Sequence, residues 1–399
     1  MMVQDLLKDK LDQAFPADPG GGIFVGRIWI PEEAGPSPVV AIDGKLYDFS
    51  RVVPTSSQLL NTDNPVTFIN EAILTQWVDC IGSVDEFIYN CHPDLRNPQH
   101  PFFLSPCDLQ AIRACGVTFV SSMVERVIEE FAKGQPEKSA EIRHSISKEV
   151  GDNLKNVVPG SEKAEKLKSV LTRQGLWSQY LEVGIGPDAE VFNKAQPMAS
   201  VGLGAEIGIR SDSSWNNPEP EVVLAINRAG KIIGATIGND VNLRDFEGRS
   251  ALLLGKAKDN NASCALGPFV RLLDGNYTME DLCNTKLIVK VDGPEGYSLS
   301  GVSDFSKISR APIDLANQAV NRAHQYPDGV MLFLGTQFAP TEDRDQPGKG
   351  FTHKKGDVVT ISCDQLGALV NRVNFCEAIP PWSYGITDLW QNLVVRGLI

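Results

Sequence analysis

Apolar and polar residues alternate in Gly22–Ile30 and again in Pro38–Ser50, which predicts strands joined through the hairpin turn signal Asp43-Gly44. The spacing becomes helical near Phe68 to Ile81, and the Pro-rich stretch Cys91 to Pro106 then reads as a linker. Val120, Val124, Val127, Ile128 and Phe131 keep the spacing of one helix face up to Gly134. Residues 135–182 are charged and helical in character, with Pro136, Pro159 and Gly160 as breaks, and read as an insertion or lid. Beyond Pro187 short strands separated by turn signals run to about Ala378, and Ile313 to His324 is the best helix among them.

One hairpin in that strand-rich half carries chemistry. Its arms are Pro218 to Asn227 and Lys231 to Asp240, with the turn at Ala229-Gly230. This register puts Glu221 opposite Gly238 and Glu219 opposite Asp240. Residues two apart share a face of a strand, so Glu219, Glu221 and Asp240 crowd one patch. Like charges facing each other destabilise a ladder and push up one another's pKa, and a hard divalent cation relieves both effects. No imidazole or thiol lies in the hairpin, so magnesium, manganese or calcium suits the all-oxygen set. The bland alternative is two solvent-facing glutamates and an aspartate that opens a turn.

Composition narrows the field. At 399 residues and 42% apolar the chain can bury a large core, arranged as one small and one large domain. A net charge of −13 speaks against a nucleic-acid partner. No apolar run is long enough to span a membrane, and the first residues lack the pattern of a secretory signal. The eight cysteines form no C-x-x-C pair and read as buried reduced thiols of a cytoplasmic protein. The five histidines are scattered, and His92 and His100 read as surface residues.

Further candidates lie along the same chain. Arg244 offers a planar fork to a substrate carboxylate, or a salt bridge to Asp245 or Glu247. Lys258 and Lys256 are equally spaced to supply positive charge or a proton near an enolate, and either can be a surface lysine. Glu125 sits on the helix that begins near Val120, where a solvated role is the alternative. Thr336 follows Gly335 at a strand end, where a hydroxyl and backbone donors suit an oxyanion or simply a turn.

From about Gly116 to Phe375 the pieces EPEVVLAI, GATIGNDVNLRD, KAKDNNASCALGP, LGT and KKGDVVTISCDQLGALVN resemble the fumarylacetoacetate hydrolase superfamily. The resemblance implies an α+β, mostly β fold. A mixed β-roll catalytic domain would span residues 106–399, with a helical insertion at about 135–182 and a small β-rich domain at 1–105. It implies magnesium on Glu219, Glu221 and Asp240. It also implies substrate contacts from Arg244, Lys258 and Thr336, and it prefers Lys258 over Lys256. Where the hydrolases carry a histidine base, SSMVERV has Glu125, as in the branch that dehydrates 2-keto-3-deoxy sugar acids. The expected reaction is therefore loss of water from a 2-keto-3-deoxypentonate, with Glu125 as base and Lys258 beside the enolate. The alternatives are a C–C hydrolase of acylpyruvates or 2,4-diketo sugar acids, and a silent binder of sugar acids. A homodimer or homotetramer is the expected assembly.

Overall fold

The computed structural model describes residues 3–17, 19–146, 157–173 and 175–399. Its strands are β1 (Phe24–Ile30), β2 (Gly35–Ile42), β3 (Lys45–Asp48), β4 (Asp79–Ser83), β5 (Phe102–Phe103), β6 (Ala111–Cys115) and β7 (Val191–Ala195). They continue as β8 (Glu206–Ile209), β9 (Asn216–Asn217), β10 (Pro220–Ile226), β11 (Ile232–Asp240), β12 (Asn242–Leu243) and β13 (Cys264–Leu272). The last five are β14 (Lys286–Asp292), β15 (Ser298–Asp304), β16 (Val330–Phe333), β17 (Val358–Cys363) and β18 (Gly367–Phe375).

An eleven-stranded sheet runs β4-β3-β2-β1-β13-β11-β10-β16-β6-β7, with β5 attached to β1. A five-stranded sheet, β15-β14-β17-β18-β8, packs across it, and β9 and β12 form a short pair. The alternation along β10 explains the layering. Val222, Leu224 and Ile226 face a core shared with Val289, Ile361 and Leu369 of the smaller sheet. Val223 and Ala225 point the other way, into a core with Val25, Val40 and Leu59. Burial on both faces gives β10 and β11 their continuous apolar sequence.

The Asp43-Gly44 turn forms as expected, with both residues at positive φ between β2 and β3. Other boundaries differ. The helix expected near Phe68 to Ile81 is Pro65–Leu74, started by the Asn64 side-chain cap and Pro65, and residues 79–83 become β4. The helix expected from Ile313 to His324 is Pro312–Ala319, and Val320 is already extended. The 91–106 stretch is more than a linker. It contributes β5 to β1, and the Asn90 amide fastens it by donating to three of its carbonyls, those of Asn97, His100 and Pro101. The pairing of β1 with β13 carries the large sheet across the boundary expected at residue 105. His92 is buried, not a surface residue, while His100 is exposed. All eight cysteines are free, four of them buried and Cys80 exposed.

The helix Val120–Ala132 ends at Lys133 and Gly134, both at positive φ. Met123, Val124, Val127 and Ile128 are its apolar contacts, whereas Phe131 is exposed rather than part of that face. Within the expected insertion the helices Pro136–Ile146, Glu162–Arg173 and Gln179–Ile185 are present, and its residues 147–156 and 174 lie outside the described residues. No described helix is long and apolar enough to cross a membrane.

Candidate active site

At the acids the β10–β11 register is the expected one, but next to the turn it is displaced by one residue, with Ile226 opposite Ile232 and an irregularity between Ala225 and Ile226. Glu221 pairs with Gly238, and the Asp240 N–H donates to the Glu219 carbonyl at 3.0 Å. Gly238 is required opposite Glu221, because a Cβ there would lie 2.3 Å from Phe333. Each acid offers one oxygen within 4.8 Å of the others, and all three are at most 5% exposed. The three carboxylates share one buried patch.

Lysines partly neutralise it. Lys258 Nζ lies 2.5 Å from Glu219 Oε2 and 3.0 Å from Asp240 Oδ2. Lys194 Nζ sits 2.9 Å from the other oxygen, Asp240 Oδ1, and also donates to the Lys258 carbonyl. Burial alone would raise Asp240, but these two ammoniums hold it below the usual carboxylate range. Glu221 goes the other way. Burial, then Asp240 and Glu219, push it well above that range, against Lys258 and the Gly335 N–H donated at 2.6 Å. Mutual repulsion therefore raises Glu221 and not Asp240, since only Asp240 sits between two lysines. Burial would lower Lys258, but Asp240, Glu219 and Glu247 overcome it and keep the ammonium protonated.

A second layer of charge comes from the Val120–Ala132 helix. Glu125 and Glu129 lie one turn apart on its cavity side, and both are buried. Arg143, from the helix Pro136–Ile146, meets Glu125 at two points, 2.8 and 2.7 Å. Arg244 engages every guanidinium nitrogen: Nε on Glu129 at 2.7 Å, Nη2 on Glu125 at 3.1 Å, and Nη1 on the Pro340 carbonyl at 2.9 Å. It stacks on Trp215 at 4.3 Å. The salt bridge expected with Asp245 or Glu247 does not form, because the fork turns inward to the helix acids instead. Arg126 gathers three carboxylates, Glu129 at 2.6 Å, Glu219 at 2.7 Å and Glu247 at 2.8 Å. Burial pushes the Glu247 carboxyl up to about 7, against the nearby Arg126 and Lys258.

Every expected site residue lines this one cavity: Glu125, Glu219, Glu221, Asp240, Arg244, Lys258 and Thr336. Lys256 is exposed, which decides between the two lysines. Thr336 contributes its hydroxyl, which accepts the Phe338 N–H at 3.1 Å, but the neighbouring Gly335 N–H is spent on Glu221 and is not a free oxyanion donor. Cys115 also lines the cavity, and burial keeps its thiol protonated, so it is no nucleophile. Arg126, Glu129, Arg143, Lys194 and Glu247 escaped the sequence reading. The spacing of Glu125, Arg126 and Glu129 on one helix was a usable signal for the first two, whereas nothing local marks Lys194.

The donor set fits a hard divalent cation. With every group ionised, the six carboxylates and three cations lining the cavity, together with Arg143 and Lys194 behind it, leave one negative charge in excess, and without a cation the raised proton affinity of Glu221 and Glu247 offsets it. The unfavourable burial of Glu221 is the kind that an oxygen-liganded cation relieves.

Residues 182–374 match the family model described as fumarylacetoacetate (FAA) hydrolase C-terminal. That stretch, just under half of the chain, is similar to the fumarylacetoacetate hydrolase family. Over 184 residues it is 35% identical to the 2-dehydro-3-deoxy-D-arabinonate dehydratase of Saccharolobus solfataricus, covering 46% of this chain and 58% of that protein. Over 194 residues it is 32% identical to a Haloferax volcanii protein named "Probable 2-keto-3-deoxyxylonate dehydratase", covering 49% and 63%. The matches thus span about three-fifths of the length of these relatives. A solved structure of 2-keto-3-deoxy-D-arabinonate dehydratase complexed with magnesium and 2,5-dioxopentanoate superposes with a TM-score of 0.59. It covers 88% of this chain and 98% of that one at 21% identity, and it shows that this chain shares its fold.

Proposed function

We propose that this protein is a magnesium-dependent dehydratase of 2-keto-3-deoxy sugar acids, converting a 2-keto-3-deoxypentonate to 2,5-dioxopentanoate. The observation that carries the reading is one cavity uniting three clustered carboxylates, Lys258 and Glu125, with no histidine among its lining residues. The names of the two relatives support the same chemistry.

Glu219, Glu221 and Asp240 would hold the magnesium, which supplies Lewis acidity toward the keto and carboxylate oxygens of a 2-keto acid. Glu125 is the base and takes a proton from carbon 3. Lys258, a protonated ammonium in a buried setting, faces the oxygen on which negative charge grows. The hydroxyl on carbon 4 leaves as water after gaining a proton, and the carbon 3–carbon 4 alkene tautomerises to the carbon 5 aldehyde. Arg244, anchored by Glu125 and Glu129, keeps a second N–H on each Nη nitrogen for the substrate carboxylate. Thr336 supplies a hydroxyl to the bound acid. Arg126 keeps Glu219 and Glu247 in place.

The test is conversion of 2-keto-3-deoxypentonates by the purified protein with magnesium, followed by NMR detection of 2,5-dioxopentanoate. Glu125→Gln is expected to lower turnover by about 100- to 10,000-fold while magnesium still binds. Unimpaired turnover in that variant removes Glu125 from the reaction. Release of pyruvate from a 2,4-diketo acid, with no dehydration, replaces the reading with hydrolysis.

A further inference from the structure

Asn217 lines the same cavity as the three acids and is 2% exposed. Its side-chain Nδ2 donates to the Pro218 carbonyl at 2.9 Å. That bond fixes the amide, because the flipped orientation would set oxygen against oxygen. Oδ1 is left buried with no donor reaching it among the described residues. Asn242, its partner in the β9–β12 pair, does not help, since neither polar atom of its side chain has a partner either. A buried carbonyl oxygen without a donor costs free energy that an incoming O–H recovers.

We infer that Asn217 is a specificity-determining residue that accepts a hydrogen bond from a ligand hydroxyl. The inference deepens the dehydratase reading of this cavity and rests on it for the ligand's chemical class. A 3-deoxy sugar acid brings hydroxyls at carbons 4 and 5, each able to donate. A 2,4-diketo acid brings a keto oxygen at carbon 4, which only accepts and would meet Oδ1 lone pair to lone pair. Asn217 thus favours an acid with a hydroxyl at the carbon it faces over the analogue that lacks it, and it disfavours a 2,4-diketo acid where that carbon is carbon 4.

The experiment compares three ligands with magnesium present: 2-oxopentanoate, 4-hydroxy-2-oxopentanoate and 5-hydroxy-2-oxopentanoate. Dissociation constants are measured calorimetrically in the Glu125→Gln background, so that no ligand turns over during the titration. With Asn217 in place, at least one hydroxylated acid is expected to bind about tenfold more tightly than 2-oxopentanoate. Asn217→Leu and Asn217→Ala are expected to bring that ratio to about one. Equal binding of all three acids with Asn217 present overturns the inference, and so does a preference that survives both substitutions. If neither variant folds, the ratio measured with Asn217 in place decides alone. The dehydratase reading fails separately, when the unsubstituted protein with magnesium produces no enone absorbance from 4-hydroxy-2-oxopentanoate while the binding preference persists.

Discussion

Arg143 grips Glu125 at two points, its Nε and Nη2 lying 2.8 and 2.7 Å from the two carboxylate oxygens. One residue belongs to the helix Pro136–Ile146 and the other to Val120–Ala132, so the segment after Gly134 reaches the proposed base directly. Arg143→Gln is expected to lower kcat by about 100-fold with little change in KM, because a base displaced by an ångström loses most of its advantage. Arg143→Lys is expected to rescue only part of the loss, since an ammonium cannot make the two-point contact. Steady-state kinetics with separate kcat and KM decides; equal kcat in all three proteins removes the orienting role.

Magnesium affinity tests the acidic patch. Glu219→Gln, Glu221→Gln and Asp240→Asn each remove one anionic oxygen donor from a set whose members lie within 4.8 Å of one another. Calorimetric titration is expected to show binding weakened by at least about 100-fold in each, above the usual cost of losing an outer-shell partner. Wild-type affinity in any one of them excludes that residue as a ligand.

Lys258 is predicted to matter for stability as well as turnover. Its ammonium neutralises Glu219 and Asp240 in a buried setting, and Lys258→Met leaves each with a single cation, Arg126 on Glu219 and Lys194 on Asp240. The metal-free variant is expected to lose about 1.5–3 kcal/mol, read from denaturant unfolding. Added magnesium should recover more stability in the variant than in the parent protein, because only the folded patch binds it. A variant as stable as the parent without metal would show that the contact is energetically idle.

The pH dependence of stability follows from Glu247. Its folded pKa is raised from 4.5 to about 7, so the folded protein holds a proton that the unfolded chain releases. The associated stability is fully present below pH 4.5 and is lost as pH rises through about 7. Full expression of the shift corresponds to about 3 kcal/mol. Metal-free Glu247→Gln is therefore expected to show a shallower fall in unfolding free energy between pH 5 and pH 8, measured in urea. An identical slope in both proteins would assign the raised proton affinity elsewhere.

The unexpected arginine partners show where sequence reasoning stops. Arg244 was expected to meet a substrate or its own neighbours, Asp245 and Glu247, yet its nitrogens go to residues more than ninety positions away. Arg126 likewise joins Glu219 across 93 positions. Chain proximity says little about such partners, because a long side chain chooses among whatever carboxylates packing brings within reach.

The hairpin acids were legible because a strand's two-residue period puts Glu219 and Glu221 on one face and a short turn brings Asp240 back beside them, although the pairing at the acids also depends on the one-residue shift between Ala225 and Ile226 that the sequence did not show. The helix carrying Glu125 was legible for the same kind of reason, its apolar spacing marking which face turns inward. The order of strands in the large sheet and the burial of Lys194 against Asp240 came only from tertiary packing. Local periodicity sets which residues share a face. Which faces meet, and which charges must then neutralise one another away from water, is decided when distant segments close around a common core.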